Sequence, residues 1–172
     1  MTPSLNFKCA GIVFGVGLLL PFGGQAQTLI NNFDDWSAFA DGKGRSKACY
    51  IASVPKKETD NYKSRGNTYI LVTHRPAEKT SSVFELRAGY VYRKDSEVTV
   101  NIDGQLYNLF TDRGTAWARD AKADLSISRM MIRGKSMTVT GFSARGTKTE
   151  DTYSLAGFTA AYNAIGKACG IK

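Results

Sequence analysis

The sequence predicts a mainly β protein: an antiparallel β-sandwich or strongly curved sheet with two packed helices, at about 121–133 and 159–169. Three observations carry that expectation. Thr68 to His74 reads TYILVTH, with Tyr69, Leu71 and Thr73 opposite Ile70 and Val72, which is the period of a half-buried strand. Asp103-Gly104, a preferred type I′ turn pair, separates two alternating runs. Near the C-terminus the period changes from two to three or four, with Phe158, Tyr162, Ile165 and Cys169 on one side of a helix.

The chain opens with Lys8 and no acids, then an apolar run from Cys9 to Leu20, then Gly23-Gly24-Gln25-Ala26. Gly24 and Ala26 suit the −3 and −1 places of a small-x-small cleavage site, so residues 1–26 read as a secretory signal. An uncleaved anchor is the other reading, but the apolar run is shorter than the ~20 residues of a spanning helix. Cleavage leaves 27–172 as a single domain with no transmembrane segment expected, placed in the periplasm, in the envelope or outside the cell. Without Lys8 it keeps 22 basic and 15 acidic residues, a net +7.

From Gln27 to Asp35 the chain is polar and reads as a loose lead-in. Trp36 to Phe39 is a first short strand, and Ala48 to Val54 a second, stopped by Pro55. The loops around it, 41–47 and 56–65, are basic and carry Lys43, Arg45, Lys47, Lys56, Lys57, Lys63 and Arg65 against Asp41, Glu58 and Asp60. Two basic loops flanking one strand suggest a face that contacts an anionic surface; an ordinary solvated face is the alternative. Ser82 to Ala88 is a further strand, bending at Gly89-Tyr90. In the Asp103-Gly104 hairpin a two-residue loop sets Ile102 opposite Gln105, Val100 opposite Tyr107 and Val98 opposite Leu109, which gathers the apolar residues on one face.

Thr111 to Thr115 is a turn and Ala116 to Ala118 a short buried segment. In the helix predicted at 121–133, Ala121, Leu125, Ser128 and Ile132 form a track beside Met131, with Gly134 as stop. Ser136 to Ser143 is the last strand, and Arg145 to Asp151 holds too many charges to be buried, so it reads as a turn. Thr159 is the expected N-cap of the closing helix and Gly170 its left-handed C-cap. The sum is about seven strands and two helices.

Little in the chain points to chemistry. Cys9 leaves with the leader, so an exported chain keeps one pair, Cys49 and Cys169, which most simply forms a disulfide; two reduced, buried thiols are the alternative. The sole histidine, His74, has no free thiol to work with. One histidine and a cross-linked pair leave only carboxylates for a metal, and no calcium-loop spacing occurs. Asp34-Asp35 and Glu150-Asp151 are adjacent acids that point different ways on extended backbone. Gly42 to Lys47 lacks the full phosphate-loop pattern. No catalytic residue, cofactor or metal is therefore expected. Export also argues against nucleic acid as partner, despite the charge.

The runs SARGTKTEDTYSLAGFTAA and AIGKAC, with ACYIASVPKK, YILVTHRPAE, the Gly89-Tyr90 pair and NLFTDRGTAWARD upstream, resemble the invasion-associated locus B family of alphaproteobacterial envelope proteins. The resemblance covers nearly the whole chain after the leader, in the family's order. It implies an exported, non-enzymatic protein that binds a protein or an anionic envelope or host-surface component, linked in relatives to host-cell invasion. A small periplasmic hydrolase using His74 with an acid, or an envelope-integrity factor without a host role, are the alternatives.

Overall fold

The computed structural model describes residues 27–59, 62 and 65–171, so the leader at 1–26 and Lys63 lie outside the described residues. The strands are β1 (Thr28–Phe33), β2 (Trp36–Asp41), β3 (Ala48–Ser53), β4 (Lys57–Thr59), β5 (Tyr69–Arg75), β6 (Thr80–Arg87), β7 (Glu97–Ile102), β8 (Gln105–Asp112), β9 (Thr115–Trp117), β10 (Ser136–Phe142) and β11 (Lys148–Ser154). Helix α1 (Ala121–Arg133) precedes β10, and α2 (Phe158–Cys169) closes the chain. Among the described residues, eleven strands form one open sheet in the order β1-β2-β3-β5-β6-β9-β8-β7-β10-β11-β4, with each of these pairings antiparallel. Of the two predicted architectures, the curved sheet is the one formed.

The sheet curls because β3 and β4 are almost continuous in the chain yet lie far apart in strand order. β3 sits between β2 and β5, while β4, three residues after it, pairs with β11. The Val54–Lys56 link thus draws the two margins together. Hydrogen bonds close the seam: the Asp35 amide donates to the Ala156 carbonyl at 3.3 Å, the Trp36 indole to the Ser154 carbonyl at 3.0 Å, and the Lys56 amide to the Thr152 carbonyl at 2.8 Å. Gly157, at φ +84, is required there, since a Cβ on it would stand 1.9 Å from the Phe33 carbonyl oxygen.

Inside the curl, alternate residues of the strands make the core: Ile51, Ile70, Val72, Phe84, Leu86, Val98, Val100, Ile102, Leu109, Met137, Val139 and Tyr153 are all buried. The Asp103-Gly104 hairpin has the predicted register, with Ile102, Val100 and Val98 opposite Gln105, Tyr107 and Leu109. Both turn residues have positive φ, 46° and 96°, as a type I′ turn needs.

The helices fill what the strands leave open. β9 pairs with β6 only at 85–87 and with β8 only at 110–112, so the rest of β6 and β8 diverge on that side. Helix α1 occupies the gap: Asp124 Oδ1 accepts from the Phe84 amide at 2.8 Å, and the Tyr107 hydroxyl donates to the Ser126 carbonyl at 3.4 Å. Helix α2 packs on β2 and β3, with Phe158 edge-on to Trp36 at 4.9 Å. A disulfide between Cys49 of β3 and Cys169 fixes its C-terminal end.

Five local expectations are corrected. The 27–35 lead-in holds β1, an exposed edge strand held by pairing with β2. The polar loop after Pro55 likewise holds edge strand β4. The turn read at 145–151 ends at Thr147, and β11 buries Asp151 beside Thr149 and Tyr153. The buried face of α1 is Asp124, Ile127, Ser128 and Met131, which leaves Leu125 and Ile132 on the surface. Gly157 is the N-cap of α2, while Thr159 Oγ1 donates to the Ile132 carbonyl at 3.1 Å; Gly170 is the left-handed C-cap as expected.

Candidate functional site

The two basic loops do not form one face. They leave opposite ends of β3, whose six residues span about 20 Å at the usual rise of a strand. At the 54–59 end, Lys56 is tied to Asp35 at 2.7 Å and Lys57 lies exposed on β4. Arg65 is not a surface group: its side chain is 6% exposed, and its guanidinium makes two hydrogen bonds to the Asp151 carboxylate, at 2.7 and 2.6 Å. Its Nε donates to the Ala88 carbonyl at 2.6 Å, and Tyr90 lies under it at 5.1 Å. Burial opposes the charge, but the hydrogen bonds and attraction of Asp151, with Glu58 adding to them, leave the guanidinium held above its ordinary pKa.

The Arg65 pair explains how Asp151 is tolerated inside a sheet: a buried carboxylate needs a partner of this kind. Tyr90 completes the cluster, with its hydroxyl 2.6 Å from Thr149 Oγ1, its ring stacked on Tyr62 at 5.4 Å, and its phenol pushed up to about 12 by burial. Gly89 is held at φ +72, close enough to Gly66 that a Cβ would lie 2.3 Å from the Gly66 carbonyl oxygen.

At the other end of β3 the fold gathers cations that are distant in sequence. Lys43 and Arg45 are exposed on the 3-10 turn Gly44–Ser46. Because β3 pairs with β5, that turn meets the turn Pro76–Glu78, which brings Arg75 and Lys79. Lys47 donates from Nζ to the Ala168 carbonyl, capping the C-terminal end of α2 and setting exposed Lys167 at the same margin. The acids here are Asp41 and Glu78, the latter 3.9 Å from Arg75. Sequence reasoning found Lys43, Arg45 and Lys47 but missed Arg75, Lys79 and Lys167, which only the β3–β5 register and the disulfide place beside them.

His74 lies just beneath this end, fully buried, opposite Cys49 in the β3–β5 register. Its Nδ1 accepts from the Ser82 amide at 2.9 Å, and its ring meets Tyr162 edge-on at 5.2 Å. Nε2 has no hydrogen-bond partner among the described residues. Burial lowers the imidazole pKa, which keeps the ring neutral. Ser82 Oγ is engaged with the Tyr162 hydroxyl at 2.5 Å and does not reach the imidazole. The arrangement therefore packs and orients a neutral ring, and among the described residues no carboxylate is hydrogen-bonded to it. Among the described residues no three His, Cys, Asp or Glu side chains are grouped as metal ligands, and no helix is long and apolar enough to cross a membrane.

Fold and site together define a β protein of one curled sheet, pinned by a disulfide, with a cationic end built from two turns and a helix terminus. The model of the Invasion associated locus B (IalB) protein family matches residues 36–166, and the chain belongs to that family. Comparisons with curated proteins and with solved structures returned no match. The matched span runs from the first residue of β2 into α2, and includes both the cationic turns and the Arg65–Asp151 pair.

Proposed function

We propose that the protein is exported, acts by binding rather than catalysis, and uses the end that carries Lys43, Arg45, Arg75 and Lys79 to contact an anionic component of the envelope or of a host surface. The observation that supports this most is the gathering of exposed cations from separate elements on a support that the Cys49–Cys169 disulfide fixes. Such a cluster raises the local concentration of polyanions and speeds encounter with them. Family membership supports the export and the association with invasion. The enclosed His74, with Nδ1 occupied by an amide, favours binding over hydrolysis.

The test is photocrosslinking in living cells from residue 45 at this end and from residue 57 at the other. Capture of one reproducible partner from position 45 and none from 57 is the expected result. Equal capture from both, or none from either, would count against this assignment.

A further inference from the structure

The face of α1 that the core does not use has a pattern of its own. Lys122, Leu125, Arg129, Met130 and Arg133 follow helical spacing on one side, and with Tyr107 of β8 they line a cleft of about 410 Å³. That volume falls in the range of small-molecule sites. Three cations and no acid border it, and among the described residues none of the three makes an ion pair. The acids of this helix are turned elsewhere: Asp124 inward to the Phe84 amide, and Asp120 to the Ala123 amide as N-cap. Leu125, 37% exposed, gives the cleft its apolar wall together with Met130.

Apolar and cationic groups that share one recess are complementary to one kind of ligand, an apolar chain that ends in a phosphate or carboxylate. The chain covers Leu125, Met130 and the Tyr107 ring, and the anionic head takes charge-assisted hydrogen bonds from Arg129 and Arg133, with Lys122 as a point charge. We infer that the cleft between α1 and β8 binds a small anionic amphiphile. This site lies on different elements from the turns that carry Lys43 and Lys79, so it is independent of the binding end described above.

Calorimetric titration of the 27–172 chain with monomeric dodecyl phosphate tests it, with inorganic phosphate and dodecyl maltoside as head-only and neutral-head controls. One saturable site for dodecyl phosphate is expected, and weaker binding of both controls. Arg129→Gln with Arg133→Gln weakens it roughly tenfold or more, as loss of hydrogen bonds to a charged group should. Leu125→Ser weakens it too, and Lys43→Glu with Arg45→Glu leaves it unchanged. Circular dichroism of each variant confirms that these exposed substitutions keep the fold.

Co-sedimentation with phosphatidylglycerol vesicles identifies the source. Loss of sedimentation in the Arg129/Arg133 variant means that the head belongs to a bilayer lipid, and binding of the monomer alone means a free amphiphile. Three results would overturn the inference: no saturable binding of dodecyl phosphate, equal affinity for inorganic phosphate or dodecyl maltoside, or weakening by the Lys43/Arg45 changes and not by those on α1.

Discussion

At the scale of single residues, the molecule is governed by two buried polar groups whose partners are far away in sequence. Asp151 and Arg65 are 86 positions apart and satisfy each other in bidentate fashion. Removing one partner strands the other, so Arg65→Ala or Asp151→Ala should cost about 3–5 kcal/mol. The double replacement Arg65→Ala with Asp151→Ala should cost less than the sum of the single changes. Urea unfolding of the four proteins measures both, and strict additivity would show that the pair is not coupled. His74 makes a second prediction, with a definite sign. Its folded pKa is lowered, so the unfolded chain takes up the proton first. The stability from the buried neutral ring is complete above the unfolded pKa of about 6.5 and is lost as pH falls below it. Unfolding midpoints should therefore drop between pH 7.5 and 5.5, and the drop should shrink in His74→Asn, which keeps an acceptor for the Ser82 amide. An equal drop in both proteins would assign the pH dependence to other groups.

At the scale of elements, the Cys49–Cys169 bond decides where α2 ends and what the cationic turns rest on. It closes a loop with a sequence separation of 120, for which the chain-entropy model gives about 5 kcal/mol. Cys49→Ser with Cys169→Ser should lower the urea midpoint accordingly and loosen the C-terminal turn of α2 first. Amide exchange at Lys167 to Gly170 reads that loosening, and unchanged protection there would show that Lys47 and the core contacts of Phe158 and Ile165 suffice. The elements also show which parts of the fold can be read from sequence. The β7–β8 hairpin is fully legible, because its turn residues and its apolar parity are local and agree. Strands β1 and β4 are not, since they are exposed edge strands that form by backbone pairing and bury almost nothing. The face of α1 is misread because its inward side includes Asp124 and Ser128, while Leu125 and Ile132 point outward. Asp151 hides β11 for the same reason: a charge run reads as a turn unless the distant arginine is known. At the candidate site, Lys43 and Arg45 can be read from a basic loop, but Arg75 and Lys79 join them only through the β3–β5 register.

At the scale of the whole molecule, the curl of one sheet separates the surface into distinct regions. The Val54–Lys56 link draws the sheet margins together at one end of β3, and the disulfide and the two short turns build the cationic surface at the other. Charge that looks like a single patch along 41–65 is thereby divided: Arg65 goes inside, Lys56 to a seam, and Lys43 and Arg45 to the exposed end. Binding by exposed cations carries a salt signature, because charges on a wet surface are screened within about 8 Å at physiological ionic strength. The most direct measurement is fluorescence anisotropy of labelled lipopolysaccharide titrated with the 27–172 chain and with its Lys43→Glu, Arg45→Glu, Lys79→Glu variant, at two salt concentrations. The account predicts saturable binding that weakens as salt rises, and a loss on the order of tenfold or more in the variant. Equal affinity of the two proteins at both salt concentrations would contradict it.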